Sequence, residues 1–166
     1  KNITLTFDTN LTKLEYKKWN IWQLIDKFKS VKLGVSCDHY GEKLAWIRYP
    51  INVREFEENL YTMKDYISNL NVTVSILNVL DLDEIEKYYK DFKTTFYGIV
   101  CKPEILSIRN IPNKEKLIKK YERFPMVVQE LHKDTMDGYY KNGIDYCRKL
   151  NTKRTIDFNQ IFKSST

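Results

Sequence analysis

The sequence predicts an α/β fold built on a parallel sheet, followed by a short and mostly helical C-terminal extension. Three observations carry this. Short β-branched runs alternate with amphipathic helical stretches from Ile3 to Val100, a pattern that argues for parallel strands joined by right-handed crossovers. Only three crossovers are legible, too few to close an eight-stranded barrel. Beyond that point Pro103, Pro112 and Pro125 cut the chain into short pieces with helical periodicity.

The elements follow in order. Ile3, Leu5 and Phe7 alternate with Thr4 and Thr6, which predicts a strand ended by Asp8, Thr9 and Asn10. Ile21, Leu24, Ile25 and Phe28 share one helical face. Val31, Leu33 and Val35 predict the second strand, with Ser36 to Tyr40 at its carboxyl end. Gly41 to Asn52 reads as a loop holding Trp46, Arg48 and Pro50. The next helix is the clearest: Val53, Phe56, Leu60, Met63 and Ile67 recur in alternating steps of three and four. Asn71 reads as a turn. Val72, Val74 and Ile76 predict a third strand ending at Leu77 and Asn78. Asp81 or Asp83 can cap a helix carrying Ile85, Tyr88, Tyr89 and Phe92. Thr95 to Val100 is a fourth β-branched and aromatic run. A basic helix is expected from Lys114 to Arg123 and another helix from Gly138 to Leu150. The tail from Thr152 to Thr166 is polar, anchored by Phe158, Ile161 and Phe162.

Composition narrows the class. Twelve tyrosines and eight phenylalanines supply a core in 166 residues, so a folded domain is expected rather than a disordered chain. No run of eighteen apolar residues occurs, which argues against a membrane-spanning helix. The chain opens without Met directly on a strand pattern, so we expect a segment of a longer protein. Cys37, Cys101 and Cys147 are odd in number and far apart. They signal neither a zinc site nor a disulfide framework, and free thiols suit a reducing cytoplasm. The net charge of +6 gathers at Lys114, Lys116, Lys119, Lys120 and Arg123, and at Lys149, Lys153 and Arg154. Such a face can meet nucleic acid or an acidic partner, or can simply be a solvated helix face interleaved with Glu115 and Glu122.

Ligands of parallel α/β folds bind at the carboxyl ends of the strands. That rule selects Asp8 to Asn10, Ser36 to His39, Leu77 with Asn78, and Cys101 with Lys102. Cys37 and His39 lie two apart on one strand, so they point the same way without having to meet as a nucleophile and base. Tyr88 with Tyr89 and Tyr139 with Tyr140 can stack bases, but at helical spacing they read as packing residues. His132 reads as a surface residue.

The stretch from Val31 to Pro50, VKLGVSCDHYGEKLAWIRYP, resembles the radical S-adenosylmethionine family, and more narrowly the twitch-domain members often found in phage genomes. In that family the fifth strand ends in Ser-x-Asp, followed by a Tyr-x-Arg-Tyr-Pro-like segment; here Ser36, Asp38 and Trp46 to Pro50 fill those places. Glu58, Asn59 and Leu60 are similar to its Glu-Asn-Leu stretch. Val74 to Leu80 looks like the sixth strand. Thr9 and Asn10 look like the end of the fourth, with Leu11 in place of the usual Gly, and His39 replaces the usual Gly after Asp38. Pro103 to Pro112 is similar to the family's Pro-x-x-Leu-Ser-Ile segment, and Asn151 to Phe162 to its Asp-x-x-Arg-x-x-Asp-Phe ending.

The resemblance implies that residues 1–102 are the C-terminal half of a six-stranded partial (β/α) barrel and that 103–166 are a helical extension packed on it. It implies a parent enzyme using S-adenosylmethionine and a [4Fe–4S] cluster, with Ser36 and Asp38 on the ribose and methionine side, Arg48 at a carboxylate or the ribose, the Ile76 to Asn78 backbone along the adenine, and Asn10 at the pocket floor. The cluster motif Cys-x3-Cys-x2-Cys does not occur in this sequence, and Cys101 and Cys147 are too isolated for an auxiliary cluster. Neither cofactor is therefore expected to bind tightly to this chain alone. The expected partners are the N-terminal half of the same barrel, a peptide substrate, and a second copy across an exposed sheet edge.

Overall fold

The computed structural model describes residues 2–162. Strand β1 (Thr4–Thr9) leads through a hairpin of β2 (Glu15–Tyr16) and β3 (Trp19–Asn20) into helix α1 (Ile21–Ile25) and strand β4 (Ser30–Ser36). Helices α2 (Gly41–Ile47) and α3 (Val53–Thr62) connect to β5 (Ile67–Val74), and α4 (Leu82–Tyr88) connects to β6 (Thr94–Ile99). The extension carries α5 (Lys114–Lys120), α6 (Pro125–Leu131), α7 (Tyr139–Leu150) and α8 (Phe158–Ile161). The four long strands form one sheet in the order β1-β4-β5-β6, and every pairing is parallel. The α/β class and the chain-following strand order are as the alternation predicted.

Local chemistry explains where the elements begin. Asn20 and Gln23 close a reciprocal capping box at the start of α1. Asn52 accepts from the Glu55 amide at the start of α3. Pro125 opens α6, where its missing N–H costs nothing.

Four expectations need correction. The stretch from Gly41 to Asn52 is not all loop, because Gly41–Ile47 is helical and buries Leu44 and Trp46. The hairpin of β2 and β3 and the helix α6 were not expected. Asn71 is no turn; it sits in the middle of β5. That strand begins at Ile67 and ends at Val74, so Ile76, Leu77 and Asn78 lie in the turn after it. Ile67 fitted the helical period of α3 and is out of phase with the buried Leu70, Val72 and Val74 of β5, yet it pairs with Leu33 of β4 ahead of a shift in register. The last four residues of the predicted polar tail lie outside the described residues.

The two faces of the sheet differ. Leu33, Val35, Leu70, Val72 and Val74 are buried with Ile25, Phe56, Leu60 and Ile85 of the helices. The same cluster takes in Ile108, Leu117, Tyr121, Val127 and Leu131, so the extension shares the core of the sheet. The other face is polar. Thr4, Thr6, Asp8 and Lys32 are exposed there, and a chain of side-chain hydrogen bonds crosses it. Asn71 donates to Asp8 at 2.9 Å, Thr95 donates to Asn71 at 2.9 Å, and Asn69 also donates to Asn71. The Asp8–Asn71 bridge passes over Gly34, where a Cβ would come within 2.0 Å of Asp8 Oδ1. Among the described residues, strand β1 pairs on one side only, with β4. Beside its free edge an apolar groove is lined by Leu5, Phe7, Leu14, Trp19 and Leu24. No helix among the described residues is long and apolar enough to cross a membrane.

A second cluster closes the carboxyl end of the sheet. Trp46 of α2 and Ile76 and Leu77 of the turn after β5 pack with Ile144 and Cys147 of α7 and with Phe158 and Phe162. Gly143 sets how closely α7 approaches, since a Cβ there would lie 2.2 Å from the carbonyl oxygen of Ile105. Helix propensity alone favours Ala over Gly by about 1 kcal/mol. We expect the opposite sign for Gly143→Ala, a loss of about 2 kcal/mol or more in urea denaturation, because backbone and not a movable side chain blocks the methyl. Gly34→Ala is expected to cost less, because the exposed Asp8 side chain can swing away.

Candidate functional site

The carboxyl ends of β4 and β5 are joined by one buried asparagine. Asn78 Oδ1 accepts from the Ser75 amide at 2.8 Å, and its Nδ2 donates to the Asp38 carbonyl at 2.9 Å and the Thr73 carbonyl at 3.0 Å. Asp38 reinforces this join. Its Oδ1 accepts from the Thr73 amide at 2.9 Å, and its Oδ2 lies 2.9 Å from Arg48 Nε in an ion pair rather than an aligned hydrogen bond. Arg48 thus pairs with Asp38.

Behind this join lies a cavity of about 320 Å³. Asp38, Thr73, Ser75, Leu77 and Val100 form its sheet side, and Trp46, Ile47, Leu106, Tyr146, Cys147, Leu150 and Arg154 cover it. The volume falls at the small end of the range for ligand pockets. The position is the one the parallel sheet dictates.

The structure brings Ser36, Asp38, Arg48, Ile76 and Asn78 to this end of the sheet in different states of engagement. The Ser36 hydroxyl has no hydrogen-bond partner among the described residues and is half-buried. Asp38, Asn78 and the backbone that follows β5 are occupied. The Ile76 amide donates to the Leu106 carbonyl, the Leu77 amide to Ser75 Oγ, and the Asn78 amide to the Ser75 carbonyl. Asn10 is exposed beyond β1, its Oδ1 accepting from Thr12. Sequence reasoning missed Arg154, Trp46 and Thr73 as lining residues. Thr73 was invisible because its strand was placed too late.

Cys37 and His39 do not form a couple. Cys37 donates to the carbonyl oxygen of His39 at 3.2 Å, and burial pushes its thiol up to about 12. The ring of His39 turns away from the thiol. Its Nδ1 accepts from the Tyr40 amide at 2.9 Å, so the proton sits on Nε2 and is donated to Asp81 at 3.0 Å. Asp81 occupies the position before α4, but its carboxylate goes to His39 and Lys43 instead of capping that helix. Burial pushes the Asp81 carboxyl upward, and the bonds from His39 and Lys43 outweigh it and hold the group below its ordinary 3.8.

The basic helix is largely consumed within the molecule. Lys114 donates to the carbonyls of Arg109 and Lys133, Lys120 pairs with Asp83, and Arg123 bridges Asp83 and Glu86 of α4. Lys116 and Lys119 face solvent. His132 is exposed as expected.

No group of three or more His, Cys, Asp or Glu side chains gathers at metal-binding distance among the described residues. Cys147 is buried, with its thiol pushed up to about 12 by desolvation, and Cys101 is exposed. The cysteines present do not fit the ligand set of an iron–sulfur cluster. The chain matches no known family profile, no curated protein and no solved structure.

Two substitutions test how this end is held. Asn78→Ala leaves the Ser75 amide and the Asp38 and Thr73 carbonyls without partners, and equilibrium denaturation is expected to show a loss of about 2–4 kcal/mol. Asp81 is ionised more readily folded than unfolded, so its stabilisation is present above its unfolded value of 3.8 and is lost as pH falls through the lower folded value. Asp81→Asn should therefore lower stability at neutral pH by about 1–2 kcal/mol and flatten the acid side of the stability curve. An unchanged acid limb would show that His39 and Lys43 do not act on this carboxylate.

Proposed function

We propose that this chain is the C-terminal half of a radical S-adenosylmethionine enzyme's partial barrel, and that its carboxyl end orients the adenosyl side of the cofactor. The observation that carries this reading is that the segments similar to the family, scattered along the sequence, meet each other at one end of the sheet. Asn59 of the Glu-Asn-Leu stretch donates to the Leu11 carbonyl at 3.0 Å, and Leu11 itself has φ 50°. That left-handed conformation favours glycine, the residue the family carries at this position. Asn78 of the sixth-strand segment holds the Asp38 carbonyl. Arg154 and Asn151 of the terminal segment hold the carbonyl and the indole N–H of Trp46.

Two further features agree with a half-barrel. A parallel sheet normally has both faces covered, whereas here one face is polar and suits a barrel interior. The free edge of β1, with the apolar groove beside it, is where a preceding strand and helix would add.

In such a parent a [4Fe–4S] cluster and S-adenosylmethionine supply the radical chemistry, and this chain's share is to bind, orient and exclude water. Ser36 offers a free hydroxyl to a ribose. Asp38, which lines the cavity, holds Arg48 in an ion pair, and a guanidinium suits a carboxylate. The alternative, a basic module for nucleic acid or an acidic partner, draws on a segment whose Lys120 and Arg123 are spent on α4, leaving Lys116 and Lys119 facing solvent.

The test is the longer gene product that includes the coding sequence upstream of Lys1. It should carry Cys-x3-Cys-x2-Cys, and its anaerobically reconstituted form should release 5′-deoxyadenosine. Ser36→Ala, Asp38→Asn and Arg48→Gln should each lower that release by about tenfold or more with cluster content unchanged. An upstream sequence without the motif, or a stoichiometric cluster on the present chain alone, would overturn the reading.

A further inference from the structure

Among the described residues, Arg154 is the arginine whose charge finds no carboxylate. Arg48 pairs with Asp38, Arg54 with Glu58, Arg109 with Glu104, Arg123 with Asp83 and Glu86, and Arg148 with Asp145. Arg154 has no carboxylate partner among the described residues. It is nonetheless held firmly. Its Nε donates to the Trp46 carbonyl at 2.8 Å, and the guanidinium carbon lies 4.2 Å from the Trp46 ring centroid and 5.8 Å from that of Tyr49. Stacking and one hydrogen bond fix the plane of the group and leave both terminal amino groups without a hydrogen-bond partner among the described residues. A guanidinium ordered in advance loses little freedom when it meets an anion.

The side chain borders the cavity at the carboxyl end of the sheet and also a smaller one of about 220 Å³ beside Tyr49, Pro50 and Ile156. Nothing else in the larger cavity cancels its charge. Asp38 is spent on Arg48 and the Thr73 amide. The Cys147 thiol, pushed up to about 12 by burial, stays neutral. The remaining lining is apolar or carries neutral hydroxyls.

We propose that Arg154 anchors an oxyanion subsite that takes the carboxylate or phosphate of a small ligand whose apolar body lies against Ile47, Leu77, Leu106 and Leu150. This deepens the reading of the carboxyl-end cavity as a binding site and rests on that part of it, not on the adenosyl chemistry. Trp46 is both the platform for Arg154 and a wall of the cavity, so its fluorescence reports occupancy.

The experiment titrates the full chain with hexanoate, hexyl phosphate and hexanol, reading intrinsic fluorescence and heat. Trp19 and Trp22 lie outside the buried core and can be replaced by Phe to isolate Trp46. At least one anion should bind about tenfold tighter than the alcohol, and whichever of the two is tighter identifies the ligand's oxyanion. Arg154→Gln should abolish the preference over hexanol, and Arg154→Lys should keep part of it. Should Arg154→Gln fail to fold, the anion preference of the native chain and its partial retention in Arg154→Lys still decide. Equal binding of hexanol and the anions, or a preference that survives Arg154→Gln, would overturn the proposal. Deoxyadenosine release by the Ser36, Asp38 and Arg48 variants of the longer protein is a separate readout, so either reading can fail alone.

Discussion

Where two parallel strands end, their last carbonyls and amides lose the ladder that satisfied them, and a buried end needs another set of partners. Asn78 is that set for β4 and β5. One side chain satisfies the Ser75 amide and the Asp38 and Thr73 carbonyls, and Asp38 returns a bond to the Thr73 amide. The join fixes the direction in which the chain leaves each strand. Asp38 is thereby aimed at Arg48, His39 at Asp81, and the turn after β5 at α7. The cavity at this end exists because the join holds its floor while α2 and α7 form its roof.

The charges of the chain are organised by the same economy. A net charge of +6 suggests an electropositive face, but much of the excess is tied to particular acceptors. Asp83 and Glu86 of α4 receive Lys120 and Arg123, while Asp81 receives His39 and Lys43. Each of these acidic residues lies on or beside α4, so that short helix staples the extension on one side and the β4 end on the other. The exposed pairs of Asp83 and Glu86 contribute little each, unlike the largely buried Asp81. Their larger effect is to fix which side chains remain free, and Arg154 is left over at the place where a ligand would sit.

The sheet is open in two ways. One edge of β1 is unpaired, and one face carries hydroxyls and amides instead of a second helical layer. The polar face is itself ordered, since the Asp8–Asn71 bridge over Gly34 and the Asn71–Thr95 bond tie three strands together. Apolar burial on the helical side and hydrogen bonding on the open side give the sheet two different surfaces.

The amino-acid sequence by itself determined the α/β class, the parallel order of the four strands and the segments that gather at their carboxyl ends. Periodicities of two and of three to four residues arise from backbone geometry alone, and polar residues clustered after apolar runs follow from where strands must stop. Tertiary structure decided what periodicity leaves ambiguous. Ile67 continued the helical period of α3 until Leu33 of β4 supplied its pairing partner. The helix of Leu44 and Trp46 formed because α7 and α8 gave Trp46 somewhere to be buried. Which charges stay free was likewise settled only in space. Asp81 could cap a helix or bind His39, and Arg154 could find an acid or not, because an ion pair depends on residues tens of positions away that share no pattern with it in the chain.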